Sequence, residues 1–183
     1  MHYILGIIPL ATVNIWHAYL LLSYRGDSRT DTISEHAAQD LPTLKLHRLF
    51  HITMSVCLTV FAVSYLILNR SLILPAMVLI AGAVFDIVEV MTLNKETSHH
   101  PFEAGPHQIT SWLMALSYLI YGILITRAAG LPLWVTNIVW ISFLVILFIS
   151  IMCRFKRFWI AQMFYFALLA LIVITAHINL LAA

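Results

Sequence analysis

Six long apolar runs, separated by charges, glycine or proline, constrain this chain more than any other feature. They cover roughly residues 3–22, 47–68, 72–93, 107–126, 133–152 and 158–180. A helix needs about 20 apolar residues to cross the hydrocarbon of a bilayer, and each run reaches that length. Inside lipid the backbone amides must bond within their own helix or close a barrel, and no long period-2 alternation supports a barrel. The sequence therefore predicts an all-α integral membrane protein, a six-transmembrane-helix bundle forming a single domain over residues 1–183.

Composition narrows the class further. Of 183 residues, 62% are hydrophobic and 10% charged, with a mean hydropathy of +0.94. Soluble domains run nearer half apolar and a quarter charged, so a soluble enzyme, a disordered tail and a nucleic-acid binder are excluded. A net charge of +2 argues for no anionic partner. Cys57 and Cys153 sit in or at the end of apolar runs, which is not a disulfide scaffold. The N-terminus lacks a basic region and a clear small-residue cleavage site, and reads as a retained span. The expected location is a membrane, crossed several times, and in a prokaryote the cytoplasmic membrane. Homo-oligomerisation stays open.

The cations set the expected orientation. Arg25, Arg29, Lys45, Arg48, Lys95, Arg154, Lys156 and Arg157 fall in the first, third and fifth connections, against Arg70 and Arg127 in the second and fourth. By the positive-inside rule both termini lie outside. The longer connections then face the cytoplasm, the side where chemistry is expected. In the first of them Thr32 and Glu35 have capping-box spacing and predict a short amphipathic helix through His36 to Gln39. Asp40, Leu41 and Pro42 read as a break and restart before the second span, and Gly105 and Pro106 do the same before the fourth.

Placing the polar residues by depth gives the functional signal. Four spans bring His17, His47, His51, Asp86, Glu89 and His107 to one cytoplasmic-side layer. Ionisable side chains at membrane depth are costly and usually face a protein interior or a cavity. His47 and His51 are four apart and share a helix face, which continues through Ser55 and Thr59. Asp86 and Glu89 are three apart, with Gly82 one turn earlier permitting close helix approach. His107, Ser111, Met114, Tyr118 and Tyr121 trace a third stripe. The fifth span carries little polarity and reads as lipid-facing or interfacial.

Imidazoles and carboxylates from several helices form a ligand set for zinc, iron or manganese, as one ion or two. The expected function is an intramembrane metal-dependent enzyme, with His17, His47, His51, Asp86, Glu89 and His107 as ligands. Asp86 and Glu89 are also its catalytic carboxylates. It would act on a lipid or other apolar small substrate by hydrolysis or oxidation. Two alternatives stay open: a b-type haem redox protein with two histidine ligands, and a proton or metal-ion transporter using the same cluster. Glu35 and His36 are expected on a solvated surface, His2 and His177 in solvent at the outer interface, and His99, His100 and Glu103 in an exposed loop. Trp112, Trp134 and Trp159 are expected as interfacial belt residues.

Overall fold

Seven α-helices make up the computed structural model, which describes residues 4–23, 32–68, 70–94, 105–152 and 158–182. They are α1 (Ile4–Ser23), α2 (Ile33–Ala37), α3 (Leu41–Leu68), α4 (Ile73–Thr92), α5 (Pro106–Ala128), α6 (Leu133–Met152) and α7 (Phe158–Ala182), with a single 3₁₀ turn at Arg70–Leu72. Each of the six apolar runs lies on one long helix. Four helices are long and apolar enough to cross a membrane, over Leu41–Ser64, Ile73–Thr92, Pro106–Ala128 and Trp159–Leu180. The apolar stretches Ile7–Ser23 of α1 and Leu133–Ile149 of α6 are shorter. Most of the cations that set the expected orientation lie outside the described residues, as do His2, His99, His100, Glu103 and Cys153.

The short helix forms as its capping box requires. Thr32 Oγ1 accepts the Glu35 N–H at 3.1 Å, and the Glu35 carboxylate accepts the Thr32 N–H at 3.0 Å. The expected break and restart is present: α2 ends at Ala37 and α3 starts at Leu41, ahead of the expected span start at 47, with Pro42 in its first turn. Asp40 Oδ1 accepts the Thr43 N–H at 2.7 Å, satisfying a free donor of that turn. Pro42 stands where a missing N–H costs no helical bond. Those Thr43 donors also hold the Asp40 carboxyl below its usual range. His47 consequently lies inside the helix rather than at its start.

Packing centres on α4, which lies most extensively against α5 and then α3. Its buried face is built of Ala76, Leu79, Gly82, Ala83, Asp86 and Glu89. A β-carbon at Gly82 would meet the Tyr118 ring at 2.7 Å, so glycine here is what lets α4 and α5 close. Lipid tails are as apolar as leucine, so small residues and interhelical hydrogen bonds hold such a bundle together. Arg48 supplies two of these bonds by donating to Val90 O and Leu93 O, the free carbonyls at the end of α4. Among the described residues α6 touches only α5 and α7. Its large apolar side chains Leu144, Val145 and Phe148 face outward, as the sequence predicts.

Candidate functional site

All six candidate ligands are buried, and they lie together at one end of the bundle. Each helix brings its own contribution. His17 projects from α1, His47 and His51 from consecutive turns of α3, Asp86 and Glu89 from the inner face of α4, and His107 from the first turn of α5. The layer inferred from depth alone is therefore a physical cluster.

Its centre is a chain of four side chains. Ser55 Oγ donates to Asp86 Oδ2 at 2.5 Å, and the other Asp86 oxygen accepts His51 Nδ1–H at 2.8 Å. With that proton committed to Asp86, His51 presents the lone pair of Nε2. This atom faces His17 Nε2 at 3.2 Å, the rings tilted by 36°. Two lone pairs cannot face each other so closely in a dry interior, so either a proton or a cation must lie between them. His17 Nδ1, fully enclosed, has no hydrogen-bond partner among the described residues.

His47 packs its ring 4.2 Å, centre to centre, from that of His51 but is held differently. Trp16 Nε1–H donates to His47 Nδ1 at 3.0 Å, which places the His47 proton on Nε2. Glu89 forms a second centre. Its Oε1 receives Ser111 Oγ at 3.2 Å, Ser34 Oγ at 3.4 Å and His107 Nδ1 at 3.3 Å, and the same His107 nitrogen lies 3.2 Å from the Glu89 carbonyl.

A cavity of about 100 Å³ adjoins these groups. His17, His47, His51 and Glu89 line it; Asp86 and His107 do not. The six residues thus divide into four that face open space and two that hold others in place. The remaining walls are largely apolar, drawn from α5, α6 and α7. Among the described residues no group of three or more His, Cys, Asp and Glu side chains is arranged to hold a metal ion.

Two expectations about the surroundings are corrected. His36 is not solvated. It is buried, its ring edge-on to Trp159, with Nδ1–H donating to Thr32 O at 2.7 Å. Burial pushes its pKa below the usual 6.5, against the opposing pull of the Thr32 carbonyl and Glu35. The cause is that α2 folds inward: Ser34 reaches Glu89, and Ile33 N–H donates to Gln162 Oε1 on α7 at 3.0 Å. His177 is likewise fully buried rather than solvated, 3.4 Å from the Tyr121 hydroxyl and edge-on to Phe61. Trp112 lines the cavity, while Trp134 is exposed as a belt residue would be.

Sequence reading passed over Trp16, Ser34 and Gln162. A tryptophan buried in a span must satisfy its N–H, which is the one signal that pointed to Trp16. Ser34 and Gln162 gave none, because their roles depend on how α2 docks. Compared with family models, curated proteins and solved structures, the chain matches none.

Proposed function

We propose that this chain is an intramembrane metal-dependent enzyme acting on an apolar substrate. The observation that carries the reading is the His17–His51 pair. Two nitrogens on one tetrahedral metal, at bonds of about 2.05 Å, stand ~3.3 Å apart, and the two Nε2 atoms are 3.2 Å apart. Metal-binding histidines characteristically give their other N–H to a carboxylate, which is what His51 does with Asp86. Glu89 lines the same cavity with its three side-chain contacts on Oε1. No three such groups are arranged around one point among the described residues, so its side chain would have to turn toward the pair for Oε2 to become the third donor. In this assignment Asp86 orients His51 and His107 orients Glu89, both without touching the ion. His47, its accepting nitrogen occupied by Trp16, lines the site without ligating.

Two imidazoles and one carboxylate with open positions serve both hydrolytic zinc and oxidative iron sites, so the bound metal identifies the reaction class. The apolar walls favour a substrate drawn from the bilayer. We place six spans in a membrane, in a prokaryote the cytoplasmic one, with both termini outside and the site toward the cytoplasm on the strength of the cation distribution. Protein purified without chelator is expected to carry about one transition metal per chain by elemental mass spectrometry, and His51→Ala to carry none. Stoichiometric metal absent from wild type would refute the reading.

A second reading has an observation of its own. A separation of 3.2 Å is also a hydrogen bond, and no group of three ligands is arranged among the described residues. Asp86, His51 and His17 would then be a metal-free proton relay serving acid–base chemistry. A transport path finds less support. Past Ser55 the next polar group on α3, Thr59, spends its hydroxyl on the Ser55 carbonyl, and Leu58, Phe61 and Leu79 fill the interior beyond. Haem finds less still, because trans imidazoles at ~2 Å from one iron stand ~4 Å apart with the porphyrin between them.

A further inference from the structure

We propose that the cavity beside His17, His51 and Glu89 binds a single-chain amphiphile with an uncharged, hydrogen-bonding head, such as a long-chain alcohol or primary amide, entering sideways from the bilayer. Calling that ligand the substrate rests on the enzyme reading; the binding itself needs no metal.

The polarity of the cavity runs in one direction. Ser34, Ser111 and Gln162 gather with Glu89 and the histidines at one end, while Phe143, Ile146 and Leu147 of α6 form an apolar wall. Such a gradient matches a molecule with one polar end and one hydrocarbon end. The head region offers hydroxyl and amide groups around a carboxylate, and among the described residues no Lys or Arg lines it. With no metal bound, an anionic head would meet Glu89 without a described cation to offset it, whereas a hydroxyl or amide finds both donors and acceptors.

Volume restricts how much of the ligand enters. An apolar void of about 150 Å³ accepts one benzene ring, and this cavity measures about 100 Å³. It has room for the head and the first few methylenes of one chain, and the rest of the tail stays in the bilayer. Access lies on the α6 side. The wall residues there are only half-buried, with Leu144 and Phe148 exposed beside them, and among the described residues α6 has no neighbours except α5 and α7. A second groove of about 270 Å³ between α1 and α3 is roomier, yet no His, Asp or Glu lines it. Its hydroxyls are those of Thr12 and Thr53, and Thr12 already donates to the Ile8 carbonyl.

Trp112 lines the proposed tail site and reports on it. Three brominated probes would be titrated against chelator-stripped protein in detergent: an octadecanol, the matching fatty acid and a diacyl phosphatidylcholine. Trp112 quenching is isolated by subtracting the Trp112→Phe signal. The alcohol is expected to quench saturably at one per chain, at least tenfold more tightly than the other two, and Ala115→Phe to abolish saturation. Should Ala115→Phe fail to fold, Ala161→Phe on α7 carries the same expectation. Linear quenching by all three probes, indifferent to the filled cavity, would overturn the proposal; so would a preference for the fatty acid or the diacyl lipid. Saturable alcohol binding in protein that never holds metal would leave this site standing and remove the metal reading. Bound metal without saturable alcohol binding would do the reverse.

Discussion

Trp16 Nε1–H donates to His47 Nδ1 across 3.0 Å, and this one bond separates His47 from the two histidines beside it. It directs the His47 proton to Nε2, the nitrogen a metal would need. His47→Ala is therefore expected to retain a full equivalent of metal, whereas His17→Ala and His51→Ala retain none. Equal loss in all three variants, measured by elemental analysis, would show that His47 is a ligand.

Asp86 acts through His51. Replacing it by asparagine keeps the shape but removes the charge that fixes the His51 Nδ1–H, and supporting residues of this kind are worth about 10- to 100-fold in metal affinity. Asp86→Asn should weaken binding by that range in a chelator competition, and Ser55→Ala by less. An unchanged Asp86→Asn affinity would mean the carboxylate serves only the fold.

Gly82 tests the packing that carries Asp86 and Glu89. An added β-carbon sits 2.7 and 2.8 Å from two atoms of the buried Tyr118 ring, and overpacking of this kind costs roughly 1–3 kcal/mol. Gly82→Ala should lower the thermal midpoint in detergent, and adding Tyr118→Leu should recover part of the loss. A Gly82→Ala midpoint equal to wild type would show that α4 and α5 separate easily.

His36 makes the docking of α2 depend on pH. Because burial holds its pKa below 6.5, the undocked state binds more protons once pH falls beneath that value. The contribution of His36 to docking is therefore complete above pH 6.5 and is lost as pH drops through the lowered pKa. A single cysteine at the buried Ala38 should become more reactive toward a thiol reagent of pH-independent reactivity as the medium is acidified, and His36→Gln should flatten that dependence. Reactivity rising with pH instead would contradict the assignment.

The helices were legible because hydrocarbon leaves the backbone so few choices, and run length alone located the six long ones. The cluster was legible because Asp86 and Glu89 have no place in a span without partners. The division within the cluster was not. Whether His47 or His51 presents a lone pair depends on Trp16 and Asp86, which approach from other helices and leave no trace in spacing. His36 and His177 were misplaced for a related reason. Near a span end the sequence looks the same whether a histidine meets water or is covered by α2 or by Tyr121 and Phe61.

X-ray absorption at the edge of whichever metal co-purifies would examine the His17–His51 pair most directly. The expected first shell has two imidazole nitrogens plus oxygen ligands in wild type, and no metal edge is expected in His17→Ala. Wild-type protein with no transition-metal edge, or a metal shell unchanged by His17→Ala, would contradict a centre held between these two histidines.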